Sequence, residues 1–338
     1  MNAPTARPGR APHDPRARLR PPAATSRIPP FARRGPWRAA RAVRVTCALA
    51  AAVLALAPAP TLAATDKLPL TGGVSSIDGA AGGGLTPWAV IGSNATAGEI
   101  GATASATAVF TGTYGLRIAG LALGIADRVE LSAAQQDLDT GSTGRALGLP
   151  GLHLRQDIVG AKLRLLGEAV LDSDKLLPQV AVGVELKSLD AQGLAPTLRA
   201  LGAKTRGVDL TLSATKLLLA QGVLVNATLR LTQANQNGLL GFGGAAHQSL
   251  RLQPEFSLAW LASRRLALGA EYRAKPDNLN PSALGAGLRE DDWIDAFVAW
   301  APSHQLSLTL AWVDLGRIVP AVATRRQTGG YASVQLAY

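Results

Sequence analysis

Three histidines, His153, His247 and His304, follow residue 64, and histidine is the side chain that most often binds metal or carries protons near neutral pH. They stand far apart, each in a segment that connects more regular ones, with no Cys, Asp or Glu at ligand spacing. No metal site, cofactor or catalytic residue is therefore expected. The only other candidates for a nucleophile and base are His247 and Ser249, an i,i+2 pair without an acid. The glycine runs "GGG" (82–84) and "GFGG" (241–244) lack the strand–turn–helix setting of a phosphate loop. "KPDN" (275–278) and "EDD" (290–292) put acidic residues on both sides of one connection, where a Ca²⁺ ion or a solvated loop would both fit.

Charge gives little more. The chain has 338 residues and a formal charge of +11, but residues 1–64 hold 11 of the 34 Lys+Arg and only Asp14 of the 23 Asp+Glu. The remainder carries 23 basic and 22 acidic side chains, so the basic excess belongs to the leader and no nucleic-acid partner is expected. Residues 1–44 are rich in Arg, Pro and Ala and read as a disordered extension, or as a mis-assigned start with the true one near Val43 or Val45. Residues 45–64 read as the apolar and cleavage regions of a secretory signal. "VTCALAAAVLALA" is too short for a spanning helix, which needs ~20 residues. Cleavage is expected after Ala63, or after Ala64.

The elements that must position any site are strands. "VLVNATLRL" (223–231) alternates Val, Val, Ala, Leu, Leu with Leu, Asn, Thr, Arg, and "QVAVGVELK" (179–187), "LRLQPEFSLAW" (250–260) and "QLSLTLAW" (305–312) alternate likewise. Thirteen such segments occur from 85–92 to 329–338. Connections between them alternate in length. Short ones fall at 126–127, 219–222, 262–264 and 302–304, and long ones at 138–153, 191–206, 235–248, 276–290 and 315–328. Residues 167–178 are of middling length on the short side. Short turns on one side and long loops on the other, with strands of about 10 residues, are the pattern of an outer-membrane barrel. A soluble β-sandwich is the competing reading.

The expected fold for 65–338 is thus all-β, a transmembrane antiparallel up-and-down barrel with short periplasmic turns and longer extracellular loops. Both termini should be periplasmic, so the strand number is even. Counting "LPLTGGVSS" (68–76) as a strand makes fourteen, the preferred reading. Leaving 65–98 out of the wall makes twelve, with "IDGAAGGG" (77–84) as a plug. Trp260, Trp300 and Tyr338 fall at the periplasmic rim, and Tyr272 and Trp312 near the outer rim, as two aromatic girdles. The final "YASVQLAY" fits a last strand that seals against the first and is read by the outer-membrane assembly machinery, with outer-membrane lipid and lipopolysaccharide as surroundings.

By parity the lumen is lined by Lys162, Arg164, Lys187, Arg230, Arg251, Arg273 and Lys275, opposed by Glu130, Glu185, Asp209, Glu255, Glu271 and Asp295. Ala181, Gly183, Ser213, Ser257, Ala267 and Gly269 are small and inward, which suggests an open bore.

"TGGVSSIDGAAGGGLTPWAVIG" (71–92), "LLPQVAVGVE" (176–185), "LSATKLLLAQ" (212–221), "GLLGFGG" (238–244), "RLQPEFSLAWLASRRLALGAEYRAKPDNL" (251–279) and "LSLTLAWVDLG" (306–316) resemble a proteobacterial family catalogued as domain of unknown function 3034. The resemblance spans nearly all of 65–338. It implies a Gram-negative outer-membrane location and no particular activity. The function expected is a narrow, weakly selective channel or uptake pore for small solutes. The alternatives are a non-conducting structural barrel and an outer-membrane enzyme of the lipase type, to which His247 and Ser249 would belong.

Overall fold

The computed structural model describes residues 67, 69–70, 72–170, 176–282 and 285–338. The extension 1–44, the signal 45–64 and the cleavage sites after Ala63 and Ala64 lie outside these residues.

Twelve strands close into one barrel in which every neighbour is antiparallel. They are β3 (Ile100–Thr111), β4 (Gly115–Ile125), β5 (Val129–Asp139), β6 (His153–Leu166), β7 (Gln179–Asp190), β8 (Arg206–Leu218), β9 (Val223–Thr232), β10 (Arg251–Ser263), β11 (Leu266–Arg273), β12 (Trp293–Trp300), β13 (Leu306–Asp314) and β14 (Thr328–Ala337). Two further strands of two residues each, β1 (Val74–Ser75) and β2 (Ala81–Gly82), pair inside the barrel. β14 closes on β3 from Gly329↔Thr111 to Ala337↔Thr103, and Tyr338 extends the seam by exchanging backbone hydrogen bonds with Ala102 (2.8 and 2.9 Å). Closure leaves no unpaired edge, the condition for a sheet in lipid.

Period two sorts the side chains. Leu186, Leu229, Leu258 and Leu310 are exposed on the outer face, while Glu185, Thr228, Arg230, Ser257 and Thr309, each next to one of them in sequence, are buried inside. An apolar belt that wide is stable only in hydrocarbon. The girdle residues Trp260, Trp300, Trp312 and Tyr338 are exposed near the strand ends, and Tyr272 stacks on Phe256 at 6.4 Å while its hydroxyl donates to the loop residue Asp292 (2.7 Å). The short turns also follow local chemistry. Ala126 (φ 53°) and Asp127 (φ 49°) both take the left-handed conformation in the tight turn of residues 126–128 that joins the paired ends Ile125 of β4 and Val129 of β5.

The wall has twelve strands, not the fourteen preferred from sequence. The described residues of 68–76 add no wall strand, and 85–92 do not form the strand their apolar run suggests. Gly73 (φ +75°), Gly79 (φ +88°) and Gly84 (φ +134°) turn the chain every few residues, so no strand-length extended run survives. In "WAVI" (88–91) all four residues are buried, with no outward face for lipid. Residues 72–92 instead fold into the bore. Their apolar side chains Val74, Ala81, Trp88 and Val90 pack on Leu217, Leu224, Ala259, Ala267 and Phe297 of the wall.

The long loops close the other end. α1 (Gly141–Ala146) and α2 (Ala195–Ala200) lie in two of them. Leu152, Leu198, Leu239, Phe242, Leu279 and Ile318 join one apolar cluster with Ile77 and Leu85 of the inserted segment.

Candidate functional site

The polar lumen that parity predicts is the lining of a filled bore. A buried backbone must find a partner for each N–H and C=O, and segment 72–92 meets some of them itself, through the β1–β2 pairing and turn bonds such as Ile77 N–H to Gly84 O (2.8 Å) and Trp88 N–H to Ala81 O (3.0 Å). The wall supplies others. Glu130 accepts from the N–H groups of Ala81 (3.1 Å) and Gly92 (2.7 Å), and its ion-pair partner Lys162 (3.1 Å) donates to the carbonyls of Ala81 (3.0 Å) and Val90 (2.9 Å). This one pair therefore braces both limbs of the plug. Gln136 donates to Ile77 O, Gln179 to Ala89 O and Thr228 to Pro87 O, while Thr215 accepts from Ala89 N. Glu271 accepts from Leu85 N and the Thr86 hydroxyl.

Small inward residues make room for the plug rather than an open bore. Ala181 and Ala267 are buried, and Ser257 meets both Thr86 and the Trp88 indole N–H (2.9 Å). At the tip, Gly79 passes so close to β5 that a Cβ on it would stand 2.8 Å from that of Ala134.

The tip presents Asp78, the only charged residue in 72–92, to the middle of the bore. Its carboxylate accepts from Lys187 Nζ (3.2 Å), Arg273 Nη1 (2.9 Å), Arg230 Nη2 (3.4 Å) and Asn237 Nδ2 (2.7 Å). Asn237 comes from the opposite side: the loop after β9 turns into the bore through left-handed residues Gln236 and Asn237, and Lys187 and Arg273 both donate to its Oδ1 (2.7 Å each). The bore is thus closed from both ends, and the two closures meet at three wall cations.

Those cations are in turn matched by wall carboxylates. Arg230 pairs with Glu255 (2.6 Å), Glu185 (2.8 Å) and Asp209 (3.2 Å), Lys187 with Asp209 (2.9 Å) and Glu185 (3.2 Å), and Arg273 with Glu255 (3.2 Å). Nearer the loops, Lys275 pairs with Glu290 (3.3 Å) and lies 4.6 Å from the centre of the Trp293 ring.

Of the expected lumen residues, Arg164 and Arg251 stand at the rims instead of in the bore. Arg164 reaches Asp127 and Glu168 at a short turn, and Arg251 is exposed and donates to Asp277 O (3.3 Å) beside a long loop. The acidic loop residues are taken by protein donors: Asp291 by Arg317 (2.7 Å), Asp292 by Tyr272, and Asp277 by Asn280 (3.0 Å) and the N–H of Glu290 (3.2 Å). The Arg317 side chain, against the cost of burial, brings Asp291 down to about 2. Among the described residues no group of three His, Cys, Asp or Glu side chains converges. Sequence reasoning missed Asp78, Trp88 and Asn237. For Asp78 a signal existed, a lone charge in a glycine-rich stretch.

One pH effect follows. Burial pushes Glu290 up to about 7 although Lys275 opposes it, and burial brings Lys275 down to about 8 although Glu290 opposes it. A carboxyl with a raised folded value contributes stability at low pH that is lost as pH climbs through about 7. A lysine with a depressed one contributes above its ordinary range and loses that as pH falls through about 8. The pair contributes least between these values. Urea unfolding midpoints of the wild type should therefore fall more steeply from pH 5 to 7 than those of Glu290→Gln, with all other titrations common to both.

A closed antiparallel barrel with an apolar belt, aromatic rims and a polar, plugged lumen defines the chain as an outer-membrane β-barrel protein. Its residues 71–335 match the family model described as "Protein of unknown function (DUF3034)", and the chain belongs to that family. Among curated proteins none matches the sequence. Solved structures with a similar fold include the KdgM porin (8% identity, TM-score 0.44, over 70% of this chain and 99% of that one). The COG4313 outer membrane channel from Pseudomonas putida F1 is another (11%, 0.43, 72% and 96%). Outer membrane phospholipase A from Escherichia coli is a third (8%, 0.38, 69% and 89%). Likenesses this distant say nothing of activity or solute.

Proposed function

We propose that the protein is an outer-membrane channel for small solutes, held shut by residues 72–92. The observation that carries this reading is the way the plug is attached. Its tip is pinned by Asp78 on Lys187, Arg230 and Arg273, and its backbone is bonded by hydrophilic side chains that water can replace. A twelve-stranded wall is wider than an eight-stranded one, whose side chains nearly fill it. Withdrawal of the plug, together with the loop whose Asn237 meets its tip, therefore leaves a wet path. Most wall charges cancel in pairs, while Glu271 and Asp295 have no cationic partner among the described residues, which favours a weak preference for cations in the open bore. On this reading the outer belt lies in membrane lipid and lipopolysaccharide, and the C-terminal strand is what the assembly machinery reads.

Planar-bilayer recording tests it. Asp78→Ala and deletion of 72–84 should both open more often, or to larger steps, than wild type. Silent bilayers for all three proteins, with folded barrels shown by circular dichroism, would replace the channel with a non-conducting structural barrel.

A further inference from the structure

We propose that Glu271, Asp295 and Tyr331 form a binding site for one hard divalent cation of the calcium type, set between the plug and the wall. The β11–β12 register puts Glu271 directly opposite Asp295, and both side chains are inward and 3% exposed. Like charges in that position repel, and burial removes the water that would screen them. Elsewhere in the bore carboxylates face cations: Glu130 faces Lys162, Glu290 faces Lys275, and Glu185, Asp209 and Glu255 share Lys187, Arg230 and Arg273. Among the described residues Glu271 and Asp295 have none.

The unmet groups identify what is missing. Among the described residues neither Asp295 oxygen has a hydrogen-bond partner, and nor has the Tyr331 hydroxyl, which is 6% exposed. Glu271 accepts from Leu85 N, Thr86 Oγ1 and Ser257 Oγ, whereas Asp295 has no donor among the described residues. What the pair lacks is positive charge. The space is shared: a Cβ on Gly84 would stand 2.4 Å from Tyr331 Oη and 3.3 Å from a Glu271 carboxylate oxygen. Two carboxylates and a hydroxyl, all oxygen, suit a hard cation, and a divalent one neutralises them. Among the described residues no histidine or cysteine stands there to favour zinc or copper. The rival occupant is a proton on Asp295.

Such an ion ties plug residues 84–86 to β11, β12 and β14. Its effect on opening rests on the channel reading, whereas its binding does not. The test uses the full-length folded barrel in detergent, stripped with EDTA and titrated with Tb³⁺ under aromatic excitation, then with Ca²⁺ as competitor. Tyr331 lies in the site. Trp88 lies beside it, since a Cβ on Gly83 would be 2.2 Å from Glu271 Oε1 and 2.9 Å from the Trp88 ring.

The expected result is a saturable one-site signal displaced by Ca²⁺ but not by Na⁺ at equal ionic strength. Asp295→Asn and Glu271→Gln should each weaken it by at least about tenfold, because affinity follows the charge of the ligands. The Asp291→Asn, Asp292→Asn double variant should keep it. Ca²⁺ should also raise the thermal midpoint of the wild type and not that of Asp295→Asn. An unchanged titration in Asp295→Asn, or a wild-type midpoint indifferent to Ca²⁺, overturns the site in favour of a shared proton. Binding with conductance indifferent to Ca²⁺ upholds the site and removes its part in opening. Absent binding, with conductance still raised by the 72–84 deletion, overturns the site and leaves the channel standing.

Discussion

Arg230→Ala should cost the barrel about 3–5 kcal/mol, read as a lowered urea midpoint, because it removes one partner from a buried charge cluster and leaves the others unpaired. Arg230 is 1% exposed and donates to Glu255, Glu185, Asp209 and Asp78. Its loss leaves Lys187 and Arg273 to face those four carboxylates. Arg230→Lys should also be costly, since a single ammonium cannot span acceptors on three strands and the plug. Adding Asp78→Asn to Arg230→Ala should recover part of the loss, with a coupling of about 0.5–3 kcal/mol, because it removes one of the orphaned charges. Strict additivity of the two would mean that the plug tip is not seated on Arg230.

Leu229→Arg, one residue away, should cost about 2–4 kcal/mol for a different reason if the site lies near the bilayer midplane. Leu229 is 44% exposed on the outer face, opposite Leu212 on β8. Arginine there puts a charge against lipid with no counter-ion. The loss should appear when the barrel is folded in bilayers and shrink in short-chain detergent, whereas that of Arg230→Ala should be the same in both. An equal loss in both media for Leu229→Arg would place this face away from lipid.

The sequence alone determined the faces of the twelve wall strands, though not their number, because 68–76 and 85–92 also read as strands. Alternation at 223–231 gives Leu229 and Arg230 opposite faces without any partner being known, because a pleated strand has only two sides. The same rule placed Glu130, Lys162, Glu185, Lys187, Asp209, Glu255, Glu271, Arg273 and Asp295 inward, and loop lengths set the up-and-down order. The final Tyr338 was legible as a seam because a closed sheet has to pair its last strand with its first. What fills the bore was decided by tertiary structure. "WAVI" at 88–91 has the composition of a strand, and only the positive-φ glycines before it and burial on every side make it a plug. Asp78 lies 109 residues from Lys187 and 195 from Arg273, and no local period links side chains over such distances. The small inward residues 181, 257 and 267 were visible from the start. Whether they border water or packed backbone depends on where 72–92 goes, and only contacts between distant parts of the chain can set that.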